Sequence, residues 1–449
     1  MGEPVTAPAA LGMAARKKGA TGSGKTGLVT VLVEEALRDE VPVLLVDVKG
    51  DLPNLMLAFS DFSPGALEPW IEAGPTDRRP DARARLAAKL AEERRAGLEA
   101  WGLGSETVAD YRARTHVRII TPGADAGEQL HVLSALERRS ARWDTDAEGA
   151  RAALSAAISL ILRLLGRDPD PARSRDHVLL AVLAERRLAM GDAATIDCLL
   201  PEIVAPPVDK IGALELDQFI SKKARRDLAA ALNALLASPS FSSWRQGATL
   251  DVASWMAPVA TPTGTKTPVT VLSVAHLDDD ERELVLGVVL EEVLTWVRGL
   301  SGSQRLRALV VFDEVYGFLP PHPASPPTKR PLVALMKQAR AFGVGVVLAT
   351  QNPMDVDYRA LSNAGLWCLG RLQTDADRAR VIDGLVGSGT GEAAQLAAVL
   401  KKLAPRWFLV RDAHARSGVR FLQPRWAMSF LRGPMTRVEI RRAREMGMA

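Results

Sequence analysis

Apolar positions along the chain fall into two habits. Short, nearly unbroken runs recur at Val43–Asp47, Val117–Thr121, Val269–Val274, Leu309–Asp313, Val344–Thr350, Leu366–Leu372 and Trp407–Val410. A strand that is apolar at successive positions is covered on both faces, as in parallel sheets packed between helices. Between these runs, Lys25–Arg38, Leu284–Arg298 and Pro331–Phe342 carry helical spacing. Strands and helices therefore alternate, which predicts the α/β class with a mainly parallel sheet flanked by helices. From about Pro80 to Arg245 the pattern changes. Arg83–Ala100, Ala147–Leu165, Asp176–Met190 and Leu214–Leu236 are rich in Ala, Leu and Arg at helical spacing, and only Val117–Thr121 reads as a strand. The expected organisation is a core begun by residues 1–52, a mainly helical insert over 53–265, the rest of the core over 266–425 and a basic tail over 426–449.

Composition narrows the function classes. The 449 residues include 57 Lys+Arg against 53 Asp+Glu, a net charge of +4, which is too small to demand a nucleic-acid partner. Cys198 and Cys368 stand far apart, so no CxxC site or disulfide framework is available, as suits a reducing compartment. No apolar run reaches the ~18 residues of a membrane span, and Met1–Lys18 lacks a signal-peptide core. A soluble, cytoplasmic protein is the expectation. The six His are scattered and no G-x-S-x-G elbow is present, which disfavours metal-hydrolase and Ser-triad chemistry. From Arg411 onward nine Arg face only Asp412, Glu439 and Glu445. Such a stretch can meet phosphates, although a solvated helix face is the commoner state.

Gly19-Ala-Thr-Gly-Ser-Gly-Lys-Thr26 matches G-x-x-x-x-G-K-[ST], a pattern that chance supplies in roughly one or two chains per hundred of this length. In such a loop the backbone N–H groups of Gly19, Thr21, Gly22, Ser23 and Gly24 surround phosphates, Lys25 reaches the β/γ oxygens and Thr26 ligates Mg²⁺. ATP and Mg²⁺ are the implied ligands. Leu309–Glu314 is an apolar strand ending in two acids. A buried strand-end acid is costly unless it serves a cation, so Asp313 is the second Mg²⁺ candidate and Glu314 the base that polarises water. The alternative is a strand running out into a solvated acidic turn. Val344–Gln351 ends in a polar residue where ligands bind outside the carboxyl ends of strands. Gln351 either senses the γ-phosphate or caps the turn before Asn352-Pro353. Asp47, ending the Val43–Asp47 run, adds a carboxylate near the same edge.

Together the P-loop, Val43–Asp51, the Asp313-Glu314 pair and Lys337–Gln351 resemble the HerA/FtsK superfamily, more narrowly bacterial HerA-like helicase or translocase ATPases. The resemblance covers Gly22 to about Pro434. It implies a RecA-like P-loop NTPase core, a homo-hexameric ring, ATP hydrolysis at subunit interfaces and passage of double-stranded DNA, with a nuclease as a further partner. It also implies an arginine reaching the neighbouring subunit's γ-phosphate, for which Arg340 is the first candidate and Arg371 the second.

One feature departs from this pattern. Gly19 follows Arg16-Lys17-Lys18 rather than a buried strand, and removing Ala14–Ala20 would leave Gly12-Met-Thr-Gly-Ser-Gly-Lys-Thr, a second full match. A local insertion or a start that has lost upstream sequence is the expectation. Two other functions remain open: a conjugation or type IV secretion-like transport ATPase acting on protein or a relaxosome, and a nucleotide-dependent scaffold without turnover.

Overall fold

The computed structural model describes residues 11–14, 24–72, 79, 81–137, 139, 142–145, 147–262, 264–351, 356–372, 378–379, 381–382, 391–412 and 419–447. Its main sheet has ten strands, numbered here in chain order: β1 Leu11–Ala14, β2 Val43–Asp47, β3 Thr115–Ile120, β4 Val259–Thr261, β5 Gly264–Ser273, β6 Ser303–Asp313, β7 Phe342–Thr350, β8 Leu366–Leu369, β9 Phe408–Asp412 and β10 Val419–Leu422. Their spatial order is β10-β9-β8-β1-β7-β6-β2-β5-β3, with β4 paired to β5. From β8 to β3 every neighbour along this path is parallel, while β9, β10 and β4 join antiparallel. The mainly parallel α/β architecture expected from the sequence is present.

Successive side chains of a strand point to opposite faces, and the central strands obey this with a core on each side. Leu44 and Val46 of β2, Val310 and Phe312 of β6, and Val346 and Leu348 of β7 face one core. That core also takes the longer helices of the middle region, α3 Ala147–Leu164, α4 Arg175–Ala189 and α5 Lys222–Ala237, together with α6 Asp279–Gly299. Val43 and Leu45, Leu309 and Val311, and Val347 and Ala349 face the other core, against α1 Lys25–Arg38 and α2 Ala82–Glu99. One more step of this alternation assigns Asp47 and Asp313 to the α1 face.

The structure departs from the sequence-based expectations at three places. Leu214–Leu236 is not one helix. Ser221 accepts the Ala224 N–H and starts α5 afresh, because a Ser N-cap satisfies one of the first-turn backbone donors that have no intrahelical acceptor. Secondly, Leu11–Ala14 forms a strand that the apolar pattern does not predict, while the residues between it and Gly24 lie outside the described ones. β1 lies between β7 and β8, with Leu11 opposite Val347 and Leu366, and Ala14 opposite Thr350 and Leu369. Its short run of small residues gives a weak strand signal, which two flanking parallel strands override.

Thirdly, the basic C-terminal stretch folds back onto the core. The fully buried Glu34 carboxylate of α1 accepts from Arg425 Nη1 at 2.7 Å, Met428 N at 2.9 Å, Ser429 N at 2.8 Å and Ser429 Oγ at 2.9 Å. Further on, Asn54 Nδ2 donates to Gly433 O and Met435 N donates to Gly50 O, both at 2.8 Å. A helix then begins at Arg437 with a Thr436/Glu439 capping box and buries Ile440 and Ala443. Only its outer face is solvated.

Replacing Glu34 by Ala would leave two backbone N–H groups and a hydroxyl buried without their acceptor and Arg425 with Glu35 as its remaining carboxylate, so the variant should lose about 3–5 kcal/mol. Urea unfolding at neutral pH measures this. A loss below about 1 kcal/mol at unchanged m would show that the strap does not depend on this carboxylate.

Candidate active site

Three strand ends and one helix start converge at the carboxyl edge of the sheet. The β6–β2 register sets Asp313 directly opposite Asp47. β7, the other neighbour of β6, ends at Thr350 and delivers Gln351. On the same face α1 opens at Lys25 after Gly24, whose φ of 83° is left-handed. A Cβ at Gly24 would sit 3.2 Å from Arg406 Cα, so this position combines a conformation and a close approach that suit glycine. Arg406 is itself left-handed at φ 63°. Its guanidinium stacks 5.0 Å from the Trp426 ring and donates to Pro424 O and Arg425 O at 3.0 and 3.1 Å.

Glu314 is the centre of the polar network. Its Oε2 accepts from Lys25 Nζ at 2.9 Å, from Gln351 Nε2 at 2.8 Å and from Lys49 Nζ, while among the described residues Oε1 receives only the Gln351 N–H at 3.3 Å. Burial alone would raise its pKa, but the Lys25 and Lys49 ammoniums outweigh this and hold it down at about 2, so it is ionised. Its backbone lies at φ 63°, a left-handed conformation uncommon for a non-glycine residue and the kind of strain that clusters at working sites.

Asp313 presents the opposite situation. It is 1% exposed, Lys25 Nζ is 3.7 Å from its Oδ1, and neither carboxylate oxygen has a hydrogen-bond partner among the described residues. Burial pushes its pKa up, against Lys25 and Lys49. Such a carboxylate, with its lone pairs open, fits a cation that is to be received. Thr26, in the first turn of α1, offers a hydroxyl. Among the described residues no group of three or more His, Cys, Asp or Glu is arranged to hold a metal ion by itself. One carboxylate and one hydroxyl suit Mg²⁺, which keeps waters and takes substrate phosphates rather than an all-protein cage.

Asp47 is committed elsewhere. Its Oδ1 accepts the Gly50 N–H at 2.9 Å and its Oδ2 the Ser273 hydroxyl at 3.2 Å, closing the turn that carries Lys49. Burial, and then the neighbouring Asp313, push it up to about 7, only partly offset by those two donors.

Of the residues singled out from the sequence, Lys25, Thr26, Asp47, Asp313, Glu314 and Gln351 gather at this edge, with Gly24 at the helix start. Gly19, Thr21, Gly22 and Ser23 lie outside the described residues. Arg371 is exposed, two residues beyond β8 on the same edge. Arg340 is exposed in the turn before β7, so the length of that strand, about 30 Å, separates it from Gln351. Sequence reasoning missed Lys49 and Arg406. Lys49 was visible as the cation two residues after a strand-end acid, whereas no local signal marks Arg406.

No protein-family model matches the chain, and no curated protein is similar to it. Among solved structures it is similar to the bacterial conjugative coupling protein TrwBdeltaN70 in a trigonal form with sulphate, at 14% identity over 96% of this chain and 88% of that one, TM-score 0.50. It is also similar to VirB4 of Thermoanaerobacter pseudethanolicus, at 14% identity over 92% and 89% of the two chains, TM-score 0.49. With the strand order and the helix-start site, the fold is that of a RecA-like P-loop NTPase core. No helix among the described residues is long and apolar enough to cross a membrane.

The state of Asp47 has a measurable consequence. Its folded pKa is raised, so the folded chain holds this proton more tightly than the unfolded one, and the stability it contributes is lost as pH rises from about 3.8 to about 7. In urea unfolding with chelator present, Asp47→Asn should gain on the parent steadily between pH 5 and pH 7 and level off above that. A difference that stays flat across that range would show that the carboxyl is not the titrating group.

Proposed function

We propose that the chain is a Mg²⁺-dependent ATPase and a motor of the HerA type, assembling as a hexamer and moving double-stranded DNA. One observation carries the ATPase reading: the lysine of the P-loop motif pairs with Glu314 at a strand end, beside a buried Asp313 whose oxygens have no hydrogen-bond partner among the described residues. In this reading Gly19 to Thr26 wrap the phosphates and Lys25 turns from Glu314 to the β/γ oxygens. Thr26 and Asp313 would hold Mg²⁺, which neutralises phosphate charge when bound. Glu314 accepts a proton from the attacking water as its oxygen bonds to the γ-phosphorus and the β–γ bridge leaves with ADP. Gln351, on both oxygens of Glu314, links the state of that carboxylate to the end of β7.

The DNA and hexamer parts of the proposal rest on the motif resemblance. Arg371, exposed on the site edge, and Arg340, exposed on the opposite edge, are the arginines proposed to act on a neighbouring subunit's nucleotide. The likeness to a conjugative coupling protein over almost the whole chain favours a second reading, a transport ATPase of the conjugation type.

Glu314→Gln should retain nucleotide binding and lose roughly a hundredfold or more in turnover. Turnover close to the parent's would remove Glu314 from the role of base. Adding duplex DNA to the parent separates the two motors: stimulation supports the translocase, and a rate indifferent to DNA supports the transport ATPase.

A further inference from the structure

Lys49 lies outside the P-loop and the strand-end pair, yet its ammonium bonds the same Glu314 oxygen that Lys25 holds. Its placement is built. Asp47 accepts the Gly50 N–H and closes the turn, Gly50 takes φ 84°, and Met435 N donates to Gly50 O from the C-terminal strap. Asn54 holds the next stretch through Asp51 O and Gly433 O, both at 2.8 Å. A flexible lysine has been given a fixed base and a single carboxylate to meet.

Two cations on one oxygen are one more than the single charge of Glu314 requires. The excess becomes intelligible when Lys25 is required on phosphate, as the ATPase reading has it. From the convergence of Lys25, Lys49 and Gln351 on Glu314 we infer that Lys49 is a positioning residue for hydrolysis, holding Glu314 Oε2 once Lys25 has turned to the nucleotide. With Oε2 kept by Lys49 and Gln351, the carboxylate cannot follow Lys25 toward the phosphates. Oε1, which among the described residues carries only the long Gln351 N–H bond, is left as the acceptor for the water's proton. The inference rests on the proposed ATPase function and assigns Lys49 no contact with the nucleotide.

The test uses the full chain with Mg²⁺ and ATP, comparing the parent with Lys49→Met, Lys49→Arg, Glu314→Gln and the Lys49→Met/Glu314→Gln double variant. Lys49→Met should lower kcat roughly 10- to 100-fold while the affinity for a non-hydrolysable ATP analogue stays within about threefold, and Lys49→Arg should recover most of the rate. The double variant should be no slower than Glu314→Gln alone, because Lys49 acts only through that carboxylate. A weakened analogue affinity with kcat kept would make Lys49 a phosphate ligand and overturn the inference, as would additive losses or an unchanged rate. A parent without turnover would overturn the ATPase reading itself. Urea unfolding of the parent, Lys49→Met, Glu314→Gln and the double variant without nucleotide would then show whether the Lys49–Glu314 pair is coupled, as a purely structural ion pair.

Discussion

Three carboxylates end the central strands of a sheet that is covered on both faces, and water does not reach them freely. That constraint shapes the rest of the molecule. Each acid meets it differently: Asp47 tends to keep its proton and accepts two donors, Glu314 stays charged under two ammoniums and an amide, and Asp313 is left with open lone pairs. The differences follow from geometry. Register puts Asp47 and Asp313 side by side, so their repulsion and burial favour a proton on one of them, whereas Glu314 is turned by its left-handed backbone toward Lys25 and Lys49.

The C-terminal segment is part of this arrangement. Arg406 abuts Gly24 at the start of α1, Arg425 and Ser429 grip Glu34 in the same helix, and Met435 and Gly433 hold the turn after β2. The two lysines that share Glu314 thus ride on elements tied to one continuous stretch of chain. Moving that stretch would shift both lysines together, and a buried carboxylate with four donors makes small, graded displacement expensive.

Much of the architecture was legible because period and burial coincide. α1 spans the same Lys25–Arg38 that the spacing predicts, and β2 the same Val43–Asp47, since unbroken apolar runs and amphipathic spacing are set by cores on both faces. The meeting of Lys25, Asp313, Glu314 and Gln351 was legible for a chemical reason: acids and amides at the ends of apolar strands need partners. What escaped was set by pairing over long sequence distances. β1 is a strand because β7 and β8 flank it, and Arg425 looks like one of many surface arginines until Glu34, far away in sequence, claims it. Lys49 reads as a turn residue for the same reason, because its partner Glu314 lies on another strand.

The arrangement around Glu314 also bears on how binding and chemistry are connected in the proposed function. A carboxylate whose one oxygen carries three donors is a poor proton acceptor, and the cations that stabilise Glu314 also depress its basicity. If both lysines stayed, the carboxylate would be well placed but weak. If both left, it would be more basic but free to swing toward the incoming charge or to draw back. Transfer of Lys25 alone to phosphate resolves the conflict, since it removes one cation from Glu314 when the reacting group arrives and leaves the other to hold the geometry. In the proposed function, competence for hydrolysis then depends on the phosphates being present, through the side chains at this edge.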